Sequence, residues 1–244
     1  ITLDVGVRFL LNGQIVGTVI LKDSEILAEL AEGVEGIEPG QVTGAGVGVA
    51  GQVHRAEGLI LVGPNLGWRD VAFGRLLGEA LPFPALVLND LSAAAWGERA
   101  VGAGDGVDEM LMMAVGSGVG AGIVSSGRPL EGAVGIAGDI GHTKVVPGGR
   151  LCGCGEHGCL EAYARFSDSL VGAVRDGART TAAASGAEIT VEHLVRAYDG
   201  GDPVARKVLD EAASWLGLVA ANAIPLLNPA RLVLGGGVLL GVPP

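Results

Sequence analysis

The chain of 244 residues contains no apolar run approaching about 18 residues without a polar interruption, so no hydrophobic membrane-spanning helix is expected. It also lacks a basic start followed by an apolar core, the mark of a secretory signal, and the expected location is the cytoplasm. Basic residues are few: 16 Lys and Arg stand against 27 Asp and Glu, for a net charge of −11. A surface this acidic repels nucleic acid, which argues against DNA binding by these residues on their own. Cysteine is scarcer still. Three cysteines cannot form a fully paired framework, and Cys152 and Cys154 are too close in sequence for an easy bridge.

What the chain does have is glycine, 43 residues of it, without a collagen period. Many sharp turns and close backbone approaches follow, which suits a phosphate- or sugar-binding α/β protein better than a helical bundle. With 49% hydrophobic residues the chain can bury a sizeable core, as one large or two moderate domains. All three cysteines fall in one stretch, Leu151 Cys152 Gly153 Cys154 Gly155 Glu156 His157 Gly158 Cys159 Leu160 Glu161, and His142 precedes the first by ten residues. Three thiolates and an imidazole satisfy the tetrahedral preference of Zn²⁺, and the glycines between them let the backbone wrap an ion. His157 is an alternative fourth ligand, and free thiols are the alternative to a metal site. With no open coordination position the ion would be structural, acting through the neighbours that it holds in place.

In chain order, Ile1 to Val7 reads as a strand, and Asn12-Gly13 is a hairpin dipeptide leading to a second strand over 14–20. The interval from Gly6 to Asn12 leaves little room for a full partner strand, so either the hairpin is very short or the segment is truncated. Ser24 caps a brief helix to Leu30, and 43–51 is a glycine-rich strand ending in a loop. Asp70 is the expected N-cap of a helix through Leu81. Ala85 to Leu88 is an apolar run of the buried-strand type that delivers Asn89 and Asp90 to its carboxyl end, before a helix from Ser92 to Ala100. Asp90 suits an N-cap and a ligand site equally well. A strand from Glu109 to Val115, the loop Gly116 Ser117 Gly118 Val119 Gly120 Ala121 Gly122 and a strand from Ile123 form either a phosphate cradle or a tight hairpin. Helices are expected over 167–175, over 191–197 and after the Asp202-Pro203 pair. The last presents a core stripe of Val208, Leu209, Ala212, Trp215, Leu216 and Val219. A final strand over 231–234 precedes Gly235 Gly236 Gly237.

The run Gly141 His142, Cys152 Gly153 Cys154 Gly155 and Gly158 Cys159 Leu160 Glu161 resembles the zinc motif of the ROK family of bacterial sugar kinases and sugar-responsive repressors. The likeness extends through Pro64 to Trp68, Asn89-Asp90, the 116–122 loop and the terminal glycines. It implies an actin-like ATPase (ribonuclease H-like) α/β fold with two domains around a cleft and a zinc knuckle: a smaller N-terminal domain over 1–90 and a larger one over 91–244. It implies a sugar site of Asn65, Asn89, Asp90, Asp139, His142 and Glu161, with Asp90 as general base in a kinase. It further implies ATP and Mg²⁺ contacts at Gly116, Ser117, Gly118, Gly120, Gly235 and Gly236 if the chain is a kinase, and His142, Cys152, Cys154 and Cys159 around structural Zn²⁺.

Departures separate the two branches. Kinases of the family carry Asp followed by a Gly-Gly-Thr turn around the ATP phosphates, whereas this chain has Asp4 Val5 Gly6 Val7 Arg8. A branched valine reduces backbone approach to phosphate, and the absent threonine removes a hydroxyl donor. The acidic residue before Ile-Gly-His is Asp139, one methylene shorter than the usual Glu. The stretch from Pro64 to Val71 is more like the repressor branch. The resemblance therefore implies the effector-sensing domain of a sugar-responsive transcriptional regulator, contacting DNA only through a winged helix-turn-helix preceding Ile1. An ATP-dependent, glucokinase-like sugar kinase is the alternative, and a zinc-stabilised binding protein is a third reading. A homodimer or homotetramer is expected.

Overall fold

Apolar periodicity and glycine punctuation resolve into alternating strands and helices. The computed structural model describes residues 4–11, 14–22, 43–63, 66–165 and 191–236. The expected helices at Ser24–Leu30 and 167–175, the Asn12-Gly13 dipeptide and Asn65 lie outside the described residues. The chain divides into two compact units, Ile1–Glu98 with Pro129–Ala137, and Arg99–Arg128 with Gly138–Pro244. The sequence reading places its boundary after Asp90. Here the change of unit falls eight residues later, inside a helix, and a short later segment returns to the first unit.

The first unit is built on strands β1 (Asp4–Leu11), β2 (Gln14–Lys22), β3 (Gly44–Val49) and β7 (Ala85–Asn89), in the order β2-β1-β3-β7. β1 is antiparallel to both β2 and β3, and β3 is parallel to β7. The expectation of a cramped hairpin is corrected: β1 itself continues through Leu11, so the residues between Gly6 and Asn12 are strand and pair with β2. A second sheet joins β4 (Gln52–His54), β5 (Leu59–Gly63) and β6 (Trp68–Val71).

β6 overturns the reading of Asp70 as a helix cap. Val71 pairs with Ile60 and Arg69 with Val62, and Asp70 adopts φ 53° inside this strand. The helix α1 begins later, at Phe73–Ala80, with no side-chain cap at Ala72. Ladder bonds to β5 and the contact of the Trp68 and Phe73 rings, 5.1 Å apart, outweigh Asp70's preference for a cap. Phe73 and Leu77 are fully buried against Val47, Ile60 and Val87. Each such side chain contributes about 1.5–3 kcal/mol.

The returning segment is held to the first unit by Arg55, whose Nε lies 3.1 Å from Glu131 Oε2. Burial pushes the Glu131 carboxyl up in pKa, against the opposing charges of Arg55 and His54.

The second unit carries a sheet in the order β10-β9-β8-β11, from β8 (Met110–Val115), β9 (Val119–Ser125), β10 (Arg128–Pro129) and β11 (Arg231–Gly235). β8 and β9 form an antiparallel hairpin, and β11 is parallel to β8. After β7, α2 spans Asp90–Val101. Beyond the cysteines follow the short α3 (Glu161–Ala164), α4 (Val191–Asp199) and the long α5 (Pro203–Leu227). As the sequence predicts, Val208, Ala212, Leu216 and Val219 of α5 are buried, with Leu209 and Trp215 packed beside them. No described helix is long and apolar enough to cross a membrane.

The expected cap of α5 is in place: Asp202 Oδ1 accepts from the Val204 and Ala205 amides at 2.8 and 3.0 Å, ahead of Pro203. Replacing Asp202 with Ala removes that acceptor and should cost about 1 kcal/mol in urea unfolding, while Asp202→Asn should cost only a few tenths.

Candidate functional site

Nearly all of the stretch from Thr143 to Leu160 is irregular. Its sheet-type pairing reduces to two isolated bridges, Lys144 with Cys159 and Leu151 with His157. Those bridges nevertheless fold it back on itself. The short 3₁₀ turn Ile140–His142 delivers His142, the turn at 152–155 delivers Cys152 and Cys154, and the entry to α3 delivers Cys159. The result is a cluster in which His142, Cys152, Cys154 and Cys159 offer donor atoms all within 4.8 Å of one another.

The spacings fit a tetrahedral ion. Cys152 Sγ lies 3.8 Å from His142 Nδ1, and Cys154 Sγ lies 3.8 Å from Cys159 Sγ. Metal–sulfur bonds of about 2.3 Å place tetrahedral sulfurs about 3.8 Å apart. His157 is outside the cluster, with its Nδ1 2.9 Å from the Gly149 carbonyl. The donor set is compatible with a structural metal held by His142 and the three cysteines.

Electrostatics around the sulfurs follow from burial. Cys152 and Cys159 are buried and Cys154 is exposed. Burial pushes the Cys152 thiol up to about 11. Burial also opposes the Cys154 thiolate, yet hydrogen bonds from the Glu156 amide and the neighbouring thiols, with the charge of Lys144, lower its pKa on balance. Lys144 is a feature that cysteine spacing does not announce: its Nζ donates to Cys159 Sγ at 3.1 Å and lies 3.5 Å from Glu156 Oε2. The hydrogen bond with Cys159 is the main cause that holds this amine protonated. Three thiolates around a dication would leave one net negative charge, which Lys144 would balance.

Gly141 shows how tightly the histidine arm is seated. A Cβ at this position would collide with the Val119 carbonyl of β9, so only glycine lets the turn lie against that strand. Asp139 precedes the turn and is exposed, and its carbonyl accepts from the His142 amide at 3.1 Å. Glu161 opens α3, and its Oε2 accepts from the Val119 amide at 3.1 Å. Asp139, His142 and Glu161 therefore all lie in the second unit around the start of β9. Gly116, Ser117 and Gly118 form the tight hairpin between β8 and β9, closed by Gly116 N–H to the Gly118 carbonyl at 2.9 Å. Gly120 and Gly235 both pair with Ala114, and Gly236 follows. All six residues read as nucleotide contacts thus gather at one end of one sheet.

Asn89 and Asp90 belong to the first unit, at the carboxyl end of β7. Asn89, not Asp90, is the main cap of α2: its Oδ1 accepts from the Leu91 and Ser92 amides at 2.9 and 3.1 Å, while its Nδ2 donates to the Gly51 carbonyl at 3.0 Å. Asp90 Oδ1 accepts only from Leu91, at 2.9 Å, among these amides. Asparagine's strong preference for N-caps was the available signal for this arrangement.

Lys144→Met keeps much of the stem and removes the donor to Cys159. It should weaken metal retention by about tenfold in a chelator competition while leaving one metal per chain at saturation.

Residues 24–241 match the ROK family. A glucokinase of Halalkalibacterium halodurans is 39% identical over 202 residues, covering 80% of this chain and 61% of that protein. The chain thus spans about three fifths of that relative's length. A ROK glucokinase structure from Streptomyces griseus, in complex with glucose and AMPPNP, matches with TM-score 0.78 at 33% identity, covering 97% of this chain and 83% of that one. A ROK transcriptional regulator, a homologue of the Escherichia coli MLC protein, matches with TM-score 0.81 at 28% identity, covering 98% of this chain and 65% of that one. The mixed α/β units, the clustered histidine and cysteines and these likenesses lead to one statement: the chain belongs to the ROK family and has its actin-like ATPase fold.

Proposed function

We propose that the chain is the sugar-binding, effector-sensing domain of a ROK-family transcriptional regulator that acts in the cytoplasm as a homodimer or homotetramer. DNA contact would come from a region preceding Ile1. One observation carries the preference for sensing over phosphoryl transfer. The stretch that the resemblance compares with a phosphate-wrapping Gly-Gly-Thr turn is the middle of a strand: Gly6, Val7 and Arg8 pair with Ile20, Val19 and Thr18 on one side and with Gly48, Val47 and Gly46 on the other. A backbone engaged in ladders on both edges has its amides directed to neighbouring strands and not to a phosphate.

In this reading the sugar contacts are Asn65, Asn89, Asp90, Asp139, His142 and Glu161. Such side chains match the donor and acceptor that each hydroxyl presents. Zinc is the ion of the cysteine cluster. It orients His142 through Nδ1, the nitrogen turned to Cys152, and leaves Nε2 for the ligand. The ion supplies no chemistry of its own.

A second reading, an ATP-dependent sugar kinase, is favoured by the 39% identity to a glucokinase and by the gathering of Gly116–Gly118 with Gly235 and Gly236 at one sheet end. Asp90 would then accept the sugar hydroxyl proton as the oxygen attacks the γ-phosphate of an ATP–Mg²⁺ complex. Thermal unfolding with a hexose panel, with and without ATP and Mg²⁺, separates the two. The sensor gains about 5 °C from its sugar at a hundredfold excess over Kd. It gains nothing further from ATP and loses the sugar shift in Asp90→Asn. Sugar-dependent ADP release, abolished in Asp90→Asn, would replace the sensor by the kinase.

A further inference from the structure

Val119, the first residue of β9, is gripped from both sides by neighbours of the metal ligands. On its carbonyl side lies Gly141, adjacent to His142, packed so closely that no side chain fits. At its amide lies Glu161, two residues beyond Cys159, whose Oε2 accepts the Val119 N–H at 3.1 Å. The Glu161 side chain is largely sheltered, at 16% exposure, and its other oxygen lies 3.7 Å from Arg165 Nη1. The same Oε2 would lie 3.1 Å from a Cβ added at Gly118, so the loop itself is shaped around this oxygen. The two arms are further joined by the Leu160 amide, which donates to the Thr143 carbonyl at 2.9 Å.

We infer that the metal closes a clasp on Val119, with Glu161 as the positioning residue that transmits metal occupancy to the Gly116–Gly118 hairpin. By joining His142 to Cys159, the ion sets the distance between the arm that carries Gly141 and the arm that carries Glu161. The strand start between them is held only when both arms are in place. Without the ion, the two arms are left with backbone hydrogen bonds such as Leu160 N–H to the Thr143 carbonyl and Val145 N–H to the Gly158 carbonyl, the carboxylate is held less firmly, the Val119 amide loses its acceptor more often, and the glycine hairpin opens more readily. The glutamate therefore serves the loop as well as any ligand, and the loop's conformation depends on metal. This inference rests on reading the cysteine cluster as a metal site.

The test is amide exchange of the full chain, read residue by residue, beside metal content measured by elemental analysis. In protein carrying one metal, chelation with EDTA should speed exchange at Val119 by about tenfold, the loss of one hydrogen bond, while Leu111 to Met113 in β8 stay slow. Glu161→Ala should do the same with the metal retained. Glu161→Gln, which keeps an oxygen acceptor, should remain near the parent chain. Gly118→Ala provides a second route if Glu161→Ala does not fold, because the new methyl presses on Oε2 and should likewise expose Val119. A Val119 amide that stays protected after the metal is removed, or in Glu161→Ala, overturns the clasp while leaving the metal site intact. Protein that purifies and reconstitutes without metal overturns the metal reading and the metal dependence of the clasp together, and Glu161→Ala then still reports whether the carboxylate holds the hairpin.

Discussion

The knuckle brings three thiols and one imidazole to one point in a stretch that has almost no secondary structure of its own. Between Thr143 and Leu160 the backbone makes turns, two isolated bridges and scattered hydrogen bonds such as Cys152 N–H to the Glu156 carbonyl at 2.8 Å, with no helix or strand. Burial of Cys152 raises the cost of ionising it, so the cluster is uncomfortable as a set of bare thiolates. A bound cation would relieve that cost. The small apolar group of Cys152, Cys159, Ala162 and Tyr163 then packs beside Trp215 of α5 and carries the order of the knuckle into the main core. Arg150 stacks over the Tyr163 ring at 4.5 Å, and its amide donates to the Tyr163 hydroxyl at 2.8 Å, tying the rim of the loop to the same anchor.

The first unit solves a different problem, which is to present two polar side chains at the end of a partly buried strand. Asn89 is spent on structure, bonding Gly51 with its amide nitrogen and two helix amides with its oxygen. That division of labour turns Asp90, the first residue of α2, into the residue placed by the cap. A carboxylate at the first turn of a helix also interacts favourably with the helix dipole.

Much of this was legible in the residue order. Spacing singled out the three cysteines with His142 or His157 as the fourth donor, the family resemblance pointed to His142, and His142 is the one that the fold gathers with them. The Asp202-Pro203 start and the apolar stripe of α5 follow from local rules, because a long helix obeys capping and a 3.6-residue period with little help from elsewhere. The misreadings arise where a distant partner decides. Asp70 has the chemistry of a cap, but pairing with β5 claims its neighbours for a strand. β1 extends to Leu11 because β2 and β3 supply partners along it. The return of Pro129–Ala137 to the first unit, the Lys144 bond to Cys159 and the grip on Val119 are long-range contacts with no sequence period to reveal them.

One metal ion, bound by three sulfurs and one nitrogen, would fix the knuckle of the second unit. X-ray absorption at the zinc edge of the purified protein tests it most directly. The account predicts a shell of three sulfurs at about 2.3 Å and one nitrogen at about 2.0 Å. A shell of light atoms only, or a protein that takes up no zinc, would contradict it.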